Sequence, residues 1–203
     1  LLFELYHEYL NSVGVKDDCI IEIALDEAIN AKYKNPFELD KYVPTYYATL
    51  PEALAAVTQR TSQVVALADY DGVLELTIDF DGNGYTFSGE ITVDEYATIQ
   101  DGNFTGKVIL NYGNIWDGTF QGEVIVKADG YIQGGTFHNT VTVETGGTIT
   151  GMASTFKGTV INNGSIYAGN FYSDVTNNGK IYRDELDVSV FYGTLTNNGT
   201  IYG

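Results

Sequence analysis

A single cysteine, Cys19, stands in 203 residues. An internal disulfide is therefore excluded, cysteine ligation of a metal goes with it, and the redox compartment is not legible from thiol usage. Cations are scarce as well: 10 Lys and Arg stand against 27 Asp and Glu, for a formal net charge of −17. Binding to nucleic acid needs clustered cations against the phosphates, so nucleic acid is excluded as a partner. The acidic surface implies solubility and attraction for cations. No run of 18 apolar residues occurs, so no helical membrane span is expected.

The catalytic inventory is equally thin. There are two histidines, His7 and His138, in different regions, and His138 reads as an outward residue beside Phe137. No Gly-x-Ser-x-Gly elbow and no Ser/His/Asp order can be assembled. Carboxylates at Asp94, Glu95, Asp101, Asp117, Glu123 and Glu144 scatter along the chain, where glycoside hydrolysis needs two of them facing each other across a cleft. The only arginines, Arg60 and Arg183, sit beside none of these central acids. The expectation is a non-enzymatic protein.

What the chain has in abundance is repetition. From Asp101 to Gly151 one pattern is written three times: DGNFTGKVILNYGNIW, DGTFQGEVIVKADGYIQG and GTFHNTVTVETGGTITG. Phenylalanines recur at Phe87, Phe104, Phe120, Phe137, Phe156 and Phe171, at steps of 15 to 19. Isoleucines recur at Ile99, Ile115, Ile132, Ile149, Ile166 and Ile181, at steps of 15 to 17. A fixed period of this kind outranks local secondary-structure signals.

Within the copy from Phe120, the residues Phe120, Gly122, Val124, Val126, Ala128, Gly130, Ile132 and Gly134 share one parity. Gln121, Glu123, Lys127, Asp129 and Gln133 share the other. A strand period of two places the first set inside and the second in water, on two short strands bent at Asp129-Gly130. Burying four large side chains gives roughly 6–12 kcal/mol, whereas ordering backbone costs about 1–2 kcal/mol per residue, so one copy cannot fold alone. Stacked copies share ladder hydrogen bonds and one continuous core. The expected fold is mainly β, a parallel β-solenoid with coils of about 15–20 residues, Phe on Phe and Ile on Ile. The 23 glycines and the β-branched alternation oppose a helical repeat.

Residues 1–45 have a different texture. Leu2, Phe3, Leu5, Tyr6, Tyr9 and Leu10 recur at helical spacing, and a second helix is expected from the Asp17-Asp18 cap through Ile20, Ile21, Ile23, Ala24, Ala28 and Ile29. This N-terminal helical segment precedes a solenoid domain over 46–203, with coils over about 64–203. Thr49-Leu50-Pro51-Glu52 reads as a capping box, and a helix over about 50–60 is expected to cover the open edge of the first coil.

The order TYYATLPEALAAV, VVALADY, LTIDFDGNGYTFSG and then glycine-rich coils resembles the entry into the pectin-lyase-like parallel β-helix domains of bacterial secreted and surface proteins. The NNGSIY, NNGKIY and NNGTIY copies are similar to repeats of large extracellular adhesin-like proteins. The resemblance covers about 46–203. It implies a right-handed solenoid and an extracellular or cell-surface setting, while the coils are shorter than those of pectin lyases and no lyase motif is matched.

One motif matches a calcium loop. Asp79, Asp81, Asn83, Gly84 and Glu90 satisfy D-x-[DN]-x-[DN]-G-x5-E, with Asp79, Asp81, Asn83 and Glu90 as the oxygen donors. Its flanks are alternating and β-branched rather than helical. The competing reading is a tight turn at Asp81-Gly82-Asn83-Gly84 between two strands, which is preferred, with no cofactor expected.

In the later copies Asn162, Asn177 and Asn197 replace the Val126 and Val143 of earlier ones, in phase with inward Val160, Val175 and Leu195. They are expected to form an amide ladder. Trp116, Tyr167, Tyr182 and Tyr202 follow the isoleucines and are expected to stack outward in a stripe about 5 Å apart per coil, with Tyr172 and Tyr192 adding to the aromatic surface. Such a stripe suits a glycan, a host or cell-surface protein, or cross-strand pairing alone. Thr92, Thr98 and Thr148 do not make the rows that ice binding would need. A loop is expected at 184–190, where the isoleucine step lengthens to 20. The chain begins on Leu1 and stops on a repeat, which suggests a piece of a longer surface protein and edge-to-edge self-association. The reading is an adhesin-like stalk or binding module, with a polysaccharide-acting enzyme of pectin-lyase-like fold or a filament-forming solenoid as the alternatives.

Overall fold

The computed structural model describes residues 20–24, 45–57, 62–151, 153–182 and 189–202. Over these residues the chain is a parallel β-solenoid of about eight turns. Each regular turn carries three short strands rather than two. In one turn these are Thr119–Phe120, Val124–Val126 and Tyr131–Ile132. The extra bend falls between Phe120 and Val124, where a Cβ on Gly122 would lie 1.9 Å from the carbonyl oxygen of Gly106 one turn away. Only glycine lets the two backbones approach so closely there.

Three columns run along the axis, in continuous register except where the strand Asp79–Phe87 shifts against the next coil. The valine strands form an eight-stranded sheet from Leu74–Leu76 to Leu195–Asn197, pairing Val124 with Val108 on one side and with Val141 on the other. The isoleucine column pairs Ile99 with Ile115, then Ile132, Ile149, Ile166, Ile181 and Ile201. The phenylalanine column pairs Phe87, Phe104, Phe120, Phe137, Phe156 and Phe171, and then Phe191, which the spacing analysis did not include. The distance in sequence between equivalent residues runs from 15 for Asn162–Asn177 to 20 for Asn177–Asn197, as expected.

Identical residues in register stack. Ring centroids of Phe104, Phe120, Phe137, Phe156, Phe171 and Phe191 lie 4.8–4.9 Å apart along the column, with rings within 11° of parallel. All but the last are wholly buried. Each such pair adds about 0.5–1.5 kcal/mol beyond its area burial. One core cluster runs from Leu50 to Ile181. Ala128, assigned inward by parity, is exposed, because the corner between Val126 and Ile132 swings outside the strand alternation.

At the start, Thr49 accepts a hydrogen bond from the Glu52 amide at 3.4 Å and opens α1 (Leu50–Ala56). This helix is shorter than the 50–60 expected. It buries Leu50 and Ala53 on the core, so it does cap that end. The stretch expected to continue a helix through Ile20, Ile21, Ile23 and Ala24 is instead strand β1 (Ile20–Ala24). It pairs antiparallel with β2 (Thr45–Tyr47) and with β3 (Ser62–Val65), where its run of β-branched residues satisfies the ladder of the first coil's edge. The helix expected over residues 2–10 and the remainder of the second helix lie outside the described residues. Among the described residues no helix is long and apolar enough to cross a membrane.

Candidate functional site

Outward positions stack as faithfully as inward ones, because a parallel in-register ladder repeats every column. The position after each isoleucine is held by Gln100, Trp116, Gln133, Thr150, Tyr167, Tyr182 and Tyr202, whose amides from Trp116 onward each donate to the preceding turn's isoleucine carbonyl. Tyr167 and Tyr182 stack at 4.5 Å and 7°, and Tyr182 and Tyr202 at 4.8 Å and 8°. Trp116 does not join them. Gln133 and Thr150 stand between, and the Trp116 Nε1–H donates to Gln133 Oε1 at 2.8 Å. The expected four-membered stripe is therefore a three-membered tyrosine ladder and a separate, exposed tryptophan.

The position after each phenylalanine forms a second outward column: Ser88, Thr105, Gln121, His138, Lys157, Tyr172 and Tyr192. Its last two members stack at 4.5 Å and 12°. His138 is exposed in this column, as expected. The two ladders thus occupy the same turns of the rod.

In both ladders the ring faces are largely spent on one another. What each inner tyrosine offers outward is its ring edge and hydroxyl, and only terminal rings keep a free face. Tyr172 and Tyr192 are 54% and 62% exposed, which leaves their hydroxyl-bearing edges open to a partner.

Two asparagine ladders underlie these turns. Inside, Asn162 Nδ2 donates to Asn177 Oδ1 and Asn177 Nδ2 to Asn197 Oδ1, both at 2.6 Å. Asn162 Nδ2 also reaches the Lys180 carbonyl at 3.1 Å, and Asn162 Oδ1 accepts the Gly164 amide at 3.1 Å. Asn162 and Asn177 are completely buried, so these contacts satisfy amides that water cannot reach. Outside, Asn198 Nδ2 donates to Asn178 Oδ1 and Asn178 Nδ2 to Asn163 Oδ1, each at 3.0 Å. The inner ladder was legible from the sequence and the outer one was missed, although the doubled Asn-Asn-Gly signals it.

The calcium-loop residues do not converge. Asp79, Asp81 and Asn83 are strung along one nine-residue strand, β5 (Asp79–Phe87), after β4 (Leu74–Leu76), while Glu90 lies beyond its end. Asp79 Oδ1 accepts the Thr98 amide at 2.9 Å, and Asp81 Oδ1 accepts the Asn83 amide at 2.8 Å. Asn83 and Gly84 take positive φ, at 48° and 73°, in a bulge where β5 slips register against the next coil. The tight reversal read from Asp81-Gly82-Asn83-Gly84 is this bulge within a strand, not a link between two. Among the described residues no three His, Cys, Asp or Glu side chains cluster as a metal site.

Of the loop expected at 184–190, residues 184–188 lie outside the described residues, and its last two belong to the strand Ser189–Phe191 in the phenylalanine column. No family model, curated protein or solved structure matches the chain.

Proposed function

We propose that this solenoid is a non-enzymatic stalk and binding module of a bacterial surface or secreted protein, adhesin-like in use. It engages a glycan or a cell-surface protein through its tyrosine ladders. The carrying observation is that the tyrosines are unnecessary for coil stacking. Gln121, His138 and Lys157 occupy the same column as Tyr172 and Tyr192, and the phenylalanines beneath them stack at the same 4.8–4.9 Å spacing. Aromatic side chains placed on consecutive turns, at positions where polar ones fold equally well, are placed for contact with something else.

The −17 charge and the resemblance to extracellular β-helix repeats support the setting. Screening the purified chain against a glycan array and against immobilised cell-surface proteins, with a Tyr167→Ala/Tyr182→Ala variant alongside, tests the reading. Binding retained by the parent and lost by the variant is the expected result. Equal binding by both, or none by either, removes the ladders from the interaction.

A further inference from the structure

A second surface lies on the corner that joins each valine strand to the next isoleucine strand. Asn111, Lys127, Glu144 and Asn163 hold the same position on four successive turns there, each following an inward residue paired in register. With Tyr112 and Thr145 they line an open groove of about 520 Å³. Three steps of strand spacing make it about 14–15 Å long. The corner changes length at this point: it runs over 144–147 in one turn and over only 163–164 in the next.

The groove is furnished at a conformational cost. Tyr112 sits at φ 65°, its neighbour Tyr96 at φ 67° and Asp129 on the following turn at φ 55°, a left-handed geometry that Gly146 supplies without strain one turn further on. Strained residues of this kind are kept where their side chains serve a purpose. The two rings meet edge to face at 6.2 Å, so Tyr96 buttresses Tyr112, which stays 40% exposed as one wall.

Most polar groups in the groove are free to act; Asn111 Nδ2 already gives one N–H to Asp94 Oδ2 at 2.8 Å, which leaves its second N–H. The salt bridge from Lys107 Nζ to Glu123 Oε2, at 3.2 Å, lies at the opposite end of the valine strands and uses neither Lys127 nor Glu144. Among the described residues those two side chains have no hydrogen-bond or ion-pair partner. The outer asparagine ladder is directional, each Nδ2 donating toward the lower-numbered turn, so the Nδ2 of Asn163 is the one left over.

We propose that this groove binds a neutral saccharide. The Tyr112 ring offers a platform for the C–H face of a pyranose, and the Glu144 carboxylate accepts from adjacent hydroxyls. The Lys127 ammonium and the Asn163 and Asn111 amides, with the Thr145 hydroxyl, complete a donor set around them. Lys127 and Glu144 cancel, the Asp94 carboxylate held by Asn111 adds a further negative charge, and the chain as a whole carries −17 and repels polyanions, so an uncharged polyol fits better than an acidic sugar.

The site does not depend on the ladder reading, and the test separates the two. The purified chain is titrated by ligand-observed NMR and calorimetry with neutral oligosaccharides of glucose, galactose and mannose, and with sialylated and uronate-containing glycans. Tyr112→Gly removes the platform while suiting the backbone, and Glu144→Gln removes the carboxylate; circular dichroism confirms that both fold. At least one neutral glycan is expected to bind, about tenfold or more weaker in each variant, and unchanged in Tyr167→Ala/Tyr182→Ala. Binding of acidic glycans alone, indifference to Tyr112→Gly, or no binding to any neutral glycan overturns the proposal.

Discussion

Replacing each inner asparagine by alanine should give three unequal costs, ordered by the hydrogen bonds that each one holds away from water. Asn162 makes three: to Asn177 Oδ1 at 2.6 Å, to the Lys180 carbonyl at 3.1 Å, and from the Gly164 amide at 3.1 Å. At a net of about 0.5–1.5 kcal/mol each, Asn162→Ala should cost about 1.5–4.5 kcal/mol. Asn177 makes two short ladder bonds and one long contact to the Gly179 carbonyl at 3.5 Å, so Asn177→Ala should cost about 1–3 kcal/mol. Asn197 is exposed, water can replace its partner, and Asn197→Ala should cost under about 1 kcal/mol. Urea unfolding of the parent and the three variants, followed by circular dichroism, measures the order. The Asn162→Ala/Asn177→Ala double variant adds a coupling test, because residues sharing a bond should be non-additive by about 0.5–3 kcal/mol. Equal costs at all three positions, or strict additivity of the pair, would refute the ladder as a cooperative buried element.

Three further substitutions probe the bends of the backbone. Ser154 is wholly buried and its hydroxyl has no hydrogen-bond partner; Ser154→Ala should therefore leave stability unchanged or raise it by about 1 kcal/mol, read as a shift in the thermal midpoint. Gly84 and Gly122 should separate strain from collision. At Gly84, φ is +73° but a Cβ meets nothing within 4 Å, so Gly84→Ala should cost about 1–2 kcal/mol. At Gly122, where the Cβ would meet the Gly106 carbonyl, the backbone itself must move, and Gly122→Ala should cost more than Gly84→Ala in the same melts. The reverse order would show that the turns there slide apart readily.

What was legible in the sequence follows from in-register stacking. A column of identical residues is written as a period, so Phe87 through Phe171, Ile99 through Ile181 and the inner asparagines could be placed without coordinates. Phe191 escaped because the 20-residue step before it breaks the count, although its pairing with Phe171 is regular. Trp116 was misplaced in the aromatic stripe because equal position in a repeat is not adjacency: Gln133 and Thr150 occupy the turns between. Ile20–Ala24 was misread because four apolar residues in five suit an amphipathic helix and an edge-covering strand alike, and the partners that decide, β2 and β3, are distant in sequence. The groove could not be foreseen either. It arises from changing corner lengths, which no single repeat displays.

The registers described above also fix how the rod would answer a pull. Every turn is held to the next by strands that lie across the axis, so tension along the axis loads the turns in series and opens them one at a time, like a zip. Each turn of 15–20 residues would release about 50–70 Å of chain at full extension. A stalk built this way yields in steps, and each step lengthens the tether before the next turn bears the load.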